Sequence, residues 1–209
     1  MLYRDFLKKK YSAKKQSRLP PEYQEIQYVK STGNQYISEF FTVPQTANSI
    51  EIKAVTRTSS LAEQCIVGHT SYSIELGYSS TTNRQFFYIL DSIAYVSTET
   101  NLNRKNTFIM HADKTKYSLI TDLDGGSYSE STQHSISQLN GRPLHLLTYR
   151  TNSVRYPFVG DTFGIEITVD DVIVMNLIPC YRKTDNVVGF FDLISVKFIT
   201  STAQPFLKD

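Results

Sequence analysis

The segment that most constrains this chain is its C-terminal end, Ile173 to Asp209. It divides into apolar or alternating runs at Ile173 to Cys180, Val187 to Phe191 and Val196 to Thr200. The polar stretch Arg182-Lys183-Thr184-Asp185-Asn186 and a second short turn separate them. The pattern predicts strand, turn, strand, turn, strand. Val187, Phe190, Phe191, Leu193, Val196, Phe198 and Ile199 are too many large apolar groups to leave in water, at roughly 1.5 to 3 kcal/mol for each one fully buried. The segment must close a core built by the residues before it.

Those residues alternate as strands do. Tyr23 to Val29, Gln35 to Phe41, Ser49 to Thr56, Gln64 to Val67, Tyr72 to Leu76, Arg84 to Leu90, Ile93 to Ser97, Asn106 to His111 and Lys116 to Thr121 are the first candidates. Leu144 to Tyr149 follows. Asp170-Asp171 is then the expected turn between Gly164 to Val169 and Val172 to Leu177. Ser31-Thr32-Gly33-Asn34 and Asp122-Leu123-Asp124-Gly125-Gly126 read as tight turns. No helical period longer than a turn or two is visible from Leu19 onward. Many short strands joined by polar turns predict an antiparallel sandwich, and 209 residues suit one such domain rather than two.

The first eighteen residues differ from the rest. They hold seven basic groups against one acidic group, a charge of +6, which leaves 15 basic and 19 acidic groups, or −4, on the body. Leu2, Tyr3, Phe6, Leu7 and Tyr11 can share one face of a short helix with the lysines opposite. Three turns of helix alone are marginal in water, so such an arm needs something to lie on. Nucleic acid and an anionic membrane surface are possible, but the aromatic face makes a protein groove the first choice. Leu2, Tyr3, Phe6 and Leu7 would dock by apolar burial and Lys8, Lys9 and Lys10 by charge. Pro20-Pro21 ends the arm, short and helical or extended, and residues 19 to 209 form the body.

Two stretches carry a resemblance. LPPEYQEIQYVKSTGNQYISEFF, Leu19 to Phe41, and IPCYRKTDNVVGFFD with the following KFIT and terminal FLK resemble the opening and closing signatures of a known domain family. These are the concanavalin-A-like, laminin-G-like jelly rolls of bacteriophage tail and other virion proteins and of some bacterial surface proteins. The resemblance implies an all-β, two-sheet antiparallel jelly-roll sandwich. With the basic arm, the chain looks like a virion component sited at the particle surface or tail: a non-enzymatic structural protein whose partners are other virion proteins, and multimeric if it is attached around a symmetric particle. The outward face would decorate the particle or bind a bacterial surface glycan, the alternative being a tail-associated adhesin or receptor-binding protein. The family shares no single activity, so the function must be argued from the residues.

Sugar sites need aromatic faces for ring C–H groups and planar polar groups for hydroxyls, and Tyr78, Asn83, Arg84, Tyr88 and Tyr95 lie in a segment that supplies both. The absence of Trp weakens this reading, and the same tyrosines could pack on the sheet. Asp122 and Asp124 are weak calcium candidates, because Asp-Gly is also a favoured turn. No cofactor motif is present. The four histidines and two cysteines lack metal-ligand spacing. Cys65 and Cys180 sit in apolar runs where buried free thiols are expected. Glycoside hydrolysis is the least favoured reading: Glu166, Asp170 and Asp171 have the wrong spacing for a paired-carboxylate strand, and Glu51 has no acidic neighbour two or four residues on. No apolar run is long enough to span a membrane, no signal-peptide core is seen, and secretion by the usual route is not expected.

Overall fold

The structure, a computed structural model, describes residues 18–60, 62–69, 74–79, 84–89, 92–96, 104–121, 127–131, 136, 140–150 and 154–208. The docking arm, Leu2 to Lys10, lies outside them, as do Asn83, Asp122 and Asp124.

Two antiparallel sheets face each other. The spine of the larger runs in the order β11 (Ser127–Ser131), β10 (Lys116–Thr121), β9 (Asn106–Asp113), β4 (Ser49–Thr58), β15 (Val159–Val169), β16 (Val172–Arg182), β17 (Val188–Asp192) and β18 (Lys197–Ile199). The smaller runs β3 (Ile37–Thr42), β12 (Pro143–Leu146), β5 (Gln64–His69), β6 (Ile74–Ser79), β7 (Arg84–Ile89) and β8 (Ser92–Val96). A short ladder joins β13 (Tyr149–Arg150) to β14 (Val154–Arg155). The described residues contain almost no helix, and the sandwich expected from the sequence is the fold observed.

The predicted strand from Tyr23 to Val29 is two strands. Beyond their paired segments, β15 and β16 diverge, and the early chain fills the fork: β1 (Tyr23–Glu25) pairs with the end of β16, with Glu25 opposite Cys180, while β2 (Val29–Thr32) pairs with the start of β15, with Val29 opposite Thr162. The end of the chain returns as β19 (Leu207–Lys208) beside β2.

Strand alternation builds the core. On β4 the buried residues are Ile50, Ile52, Ala54, Thr56 and Thr58, and on β9 they are Asn106, Phe108, Met110 and Ala112. Ile165, Ile167 and Leu177 continue the layer, and it meets Ile37, Leu76, Leu144 and Leu146 of the smaller sheet. A second cluster covers part of the other side of the large sheet. There Leu19 packs with Ile178, Cys180 and Phe191, flanked by Tyr23, Leu193 and Phe198, so the chain entering the body straps across β16 and β17. Tyr23 stacks on Phe198 at 5.3 Å between ring centroids. Cys180 is buried and unpaired, its thiol pushed up to about 12 by burial and secondarily by the charge of Glu25.

The turns follow local chemistry. Asp170 and Asp171 have φ of 48° and 63°, the two left-handed positions of a tight hairpin, which aspartate tolerates better than most residues. The Arg182 to Asn186 turn is fastened by Arg182, whose Nε and Nη2 donate to the Asp185 carboxylate at 2.6–3.1 Å.

Candidate functional site

Among the described residues one face of the large sheet remains open beside the Leu19 strap, and its centre is the pair β4 and β15. Outward positions alternate along both strands: Ser49, Glu51, Lys53, Val55 and Arg57 on β4, and Glu166 and Thr168 on β15. Simple alternation would send Phe163 inward with Ile165 and Ile167. It does not, because the register slips between Thr162 and Gly164, inserting Phe163 as an extra residue. A bulge of this kind re-aims a side chain, and here it delivers a phenyl ring to the outer face.

At that end of the face, Phe163 meets Tyr28 edge-on with centroids 5.5 Å apart. The Arg57 guanidinium lies 5.3 Å from the Tyr28 centroid and 5.6 Å from that of Phe163, while the Lys105 ammonium is 4.5 Å from the Phe163 centroid. Arg57 is fixed by Asp161, with Nη2 and Nε at 2.6 and 2.8 Å from the same carboxylate oxygen. An aromatic pair with an oriented guanidinium and carboxylate beside it offers both a stacking surface and planar hydrogen-bonding groups.

Gly164 comes next. Its missing side chain opens a trough walled by Lys53, Val55, Glu166, Asn176 and Ile178, with a volume near 140 Å³. Glu166 is held by Asn176, whose Nδ2 donates to the carboxylate at 3.2 Å. Glu166 also lines a second hollow of about 260 Å³, together with Ser49, Glu51, His111, Thr168, Asp171 and Ile173. Its far wall is anchored by Asp170, which accepts from the backbone N–H of Asn48 and of Ser49, each at 2.8 Å. Those bonds, the Asn48 amide first, hold the Asp170 carboxyl below its usual range.

The residues proposed from sequence fare differently. Tyr78 is corrected: it is 1% exposed, with its ring edge-on to Phe108 at 5.3 Å and stacked toward Phe158 at 6.4 Å. Its hydroxyl is shared with Thr56 Oγ1 at 3.2 Å and accepts from Asn106 Nδ2 at 3.3 Å, so the ring is core and presents no face to a ligand. The signal was available, since Tyr78 is in phase with Ile74 and Leu76. Arg84 and Tyr88 lie on β7 and Tyr95 on β8; in register Tyr88 stands opposite Ile93, and Phe86 opposite Tyr95. Among the described residues no group of His, Cys, Asp and Glu is arranged to hold a metal, and no helix is long and apolar enough to cross a membrane.

Glu51 and Glu166 are brought together by the fold. Glu51 pairs with Thr168 and Lys53 with Glu166, so the two acids are diagonal neighbours on one face, 115 positions apart in sequence. Both glutamates are half-buried, and their carboxylates can accept hydrogen bonds.

By sequence, no family model and no curated protein matches the chain. Solved structures do. The chain is similar to a candidate carbohydrate-binding protein of Bacteroides ovatus, with a TM-score of 0.62 and 11% identity, over 88% of this chain and 60% of that one. It is similar to the mouse laminin α1 domains LG4–5, with a TM-score of 0.53 and 18% identity, over 71% and 43% of the two chains. Domain 4 of a GH43 extracellular arabinanase from Geobacillus stearothermophilus, in complex with arabinotriose, gives 0.50 and 7%, over 69% and 73%. The chain thus spans less than two thirds of the first two. At these identities what is shared is the fold, a two-sheet antiparallel jelly-roll sandwich.

Proposed function

We propose that this chain is a non-catalytic glycan-binding module carried on a phage particle, with its basic arm as the attachment and its open sheet face turned outward. The observation that carries the glycan reading is the outer face of β4 and β15. It combines an aromatic platform, Tyr28 and Phe163 with Arg57 beside them, with two adjoining hollows that offer hydrogen-bonding groups at Glu166, Asn176, Glu51 and His111. Sugars ask for that combination, since one side of a pyranose is apolar and its rim is lined with hydroxyls. The carbohydrate-binding description of the Bacteroides protein and the arabinotriose held by the arabinanase domain support the same reading.

The virion setting is supported by the signature resemblance at both ends of the body and by the separation of charge between arm and body. Docking through residues 1–18 to other virion proteins is the role assigned to the arm. The glycan reading is tested on an array of bacterial envelope polysaccharides probed with the full chain and with Phe163→Ala. Saturable binding by the parent that is weakened about tenfold or more in the variant supports it. Silence of the parent across the array refutes glycan binding and leaves a decoration role for the sandwich.

A further inference from the structure

We infer that the trough takes an internal segment of an unbranched, uncharged polysaccharide, rather than a terminal sugar or a polyanion. This rests on the glycan-binding reading above.

The first argument is length. From Asp161 to Val169 the face follows eight residue steps of β15, one of them taken up by the bulge at Phe163, or about 26 Å at about 3.3 Å per residue. Two hollows lie along it and adjoin at Glu166, which lines both. At one end stands exposed Lys105 beside the aromatic pair, and at the other exposed Asp171 and Ile173. Among the described residues neither end is walled off. A terminal sugar is recognised by enclosing it, whereas an open channel with contact stations along its length suits a chain that enters and leaves.

The second argument is Gly164, which lies between Phe163 and Glu166 on β15. It does not occupy a left-handed conformation, so the backbone does not demand glycine there, and a Cβ would meet only the Leu177 carbonyl oxygen at 3.3 Å. A side chain at this position would instead divide the channel between Phe163 and Glu166. The glycine therefore keeps the aromatic station continuous with the polar one.

The third argument is charge. The face carries Lys53, Arg57 and Lys105 against Glu51, Asp161, Glu166 and Asp171, and Arg57 is already committed to Asp161. A nearly balanced, internally paired surface provides no net positive field to concentrate a polyanion. What it provides is neighbouring donors and acceptors for hydroxyl groups.

The experiment uses the full chain in calorimetric titrations. The ligands are oligosaccharides from partial hydrolysis of a neutral, unbranched bacterial O-antigen polysaccharide, sized from disaccharide to octasaccharide, with reducing ends reduced. A heparin-type polyanion is run in parallel. The expected result is affinity rising about tenfold or more from disaccharide to hexasaccharide, indifferent to end reduction and to added salt. Gly164→Val should lose that gain while remaining folded, as judged by circular dichroism. A disaccharide that binds as tightly as the longer chains overturns the inference and leaves the glycan reading intact. So does preferential, salt-sensitive binding of the polyanion. Unchanged binding by a folded Gly164→Val moves the ligand off this channel and overturns it as well. If polymer and all oligomers are silent, the glycan-binding reading falls and the inference falls with it.

Discussion

Tyr78 separates a core role from a ligand role more sharply than any other side chain here. Its hydroxyl is the partner of Asn106 Nδ2 and of Thr56 Oγ1, both wholly buried, and Asn106 Oδ1 already lacks a partner. Tyr78→Phe keeps the ring between Phe108 and Phe158 but removes the acceptor, stranding the Asn106 amide in a dry interior. An unsatisfied buried polar group costs about 1–3 kcal/mol. For a body of this size, about 2 kcal/mol corresponds to a fall in Tm of about 4–8 °C. Tyr78→Ala adds a cavity and should cost about 3–5 kcal/mol, a large part of the total stability of a typical domain. Urea denaturation followed by circular dichroism measures both, with m-values checked for constancy. Glycan affinity of the folded Tyr78→Phe protein should equal that of the parent. Full stability with lost binding would place Tyr78 in a ligand site and refute the reasoning.

Three further predictions follow from named contacts. His69 is buried, and burial, the nearby Arg142 and His145 together lower its pKa from 6.5 to about 4; protonation therefore favours the unfolded chain. Stability should be full above pH 6.5 and fall as pH drops toward 4, by up to about 3 kcal/mol, and His69→Gln should flatten that part of the urea midpoint profile. A Cβ at Gly77 would overlap the Gln64 carbonyl oxygen across the β5–β6 ladder, so Gly77→Ala should shift or disrupt that pairing; a thermal midpoint equal to the parent's would contradict the close approach. Deletion of residues 1–17 keeps the Leu19 strap and the Arg18–Glu25 ion pair, and should leave the thermal midpoint within about 2 °C while abolishing incorporation into particles; incorporation at normal copy number would remove the arm from its assigned role.

The strands were legible where alternation runs unbroken. Ile165, Ile167 and Val169 against Glu166 and Thr168 give β15 its faces, and Asp170-Asp171 marks its end because few other residues accept two left-handed positions in a row. The candidate site was not legible, for two physical reasons. Arg57, Phe163 and Glu166 become neighbours only through a pairing of strands about a hundred residues apart, which a period of two does not encode. Phe163 also obeys the alternation of a core residue, and only the register slip beside it turns the ring outward. The opposite error at Tyr78 arose from weighing residue type over phase. A polar-tipped ring in a serine- and threonine-rich stretch reads as surface, although Ile74 and Leu76 place it on the apolar side. The forked strand at Tyr23 to Val29 was hidden because divergence of β15 and β16 leaves no mark in the segment that fills the gap.

The central claim is that ligand lies along β4 and β15 on the open face of the large sheet. Amide hydrogen exchange of the full chain, with and without a saturating envelope polysaccharide selected on the array, tests it most directly. Added protection confined to the β4 and β15 segments around Glu51 to Arg57 and Asp161 to Thr168 is the predicted result. Protection on β7 and β8 instead, or none while binding is saturated, would contradict the account.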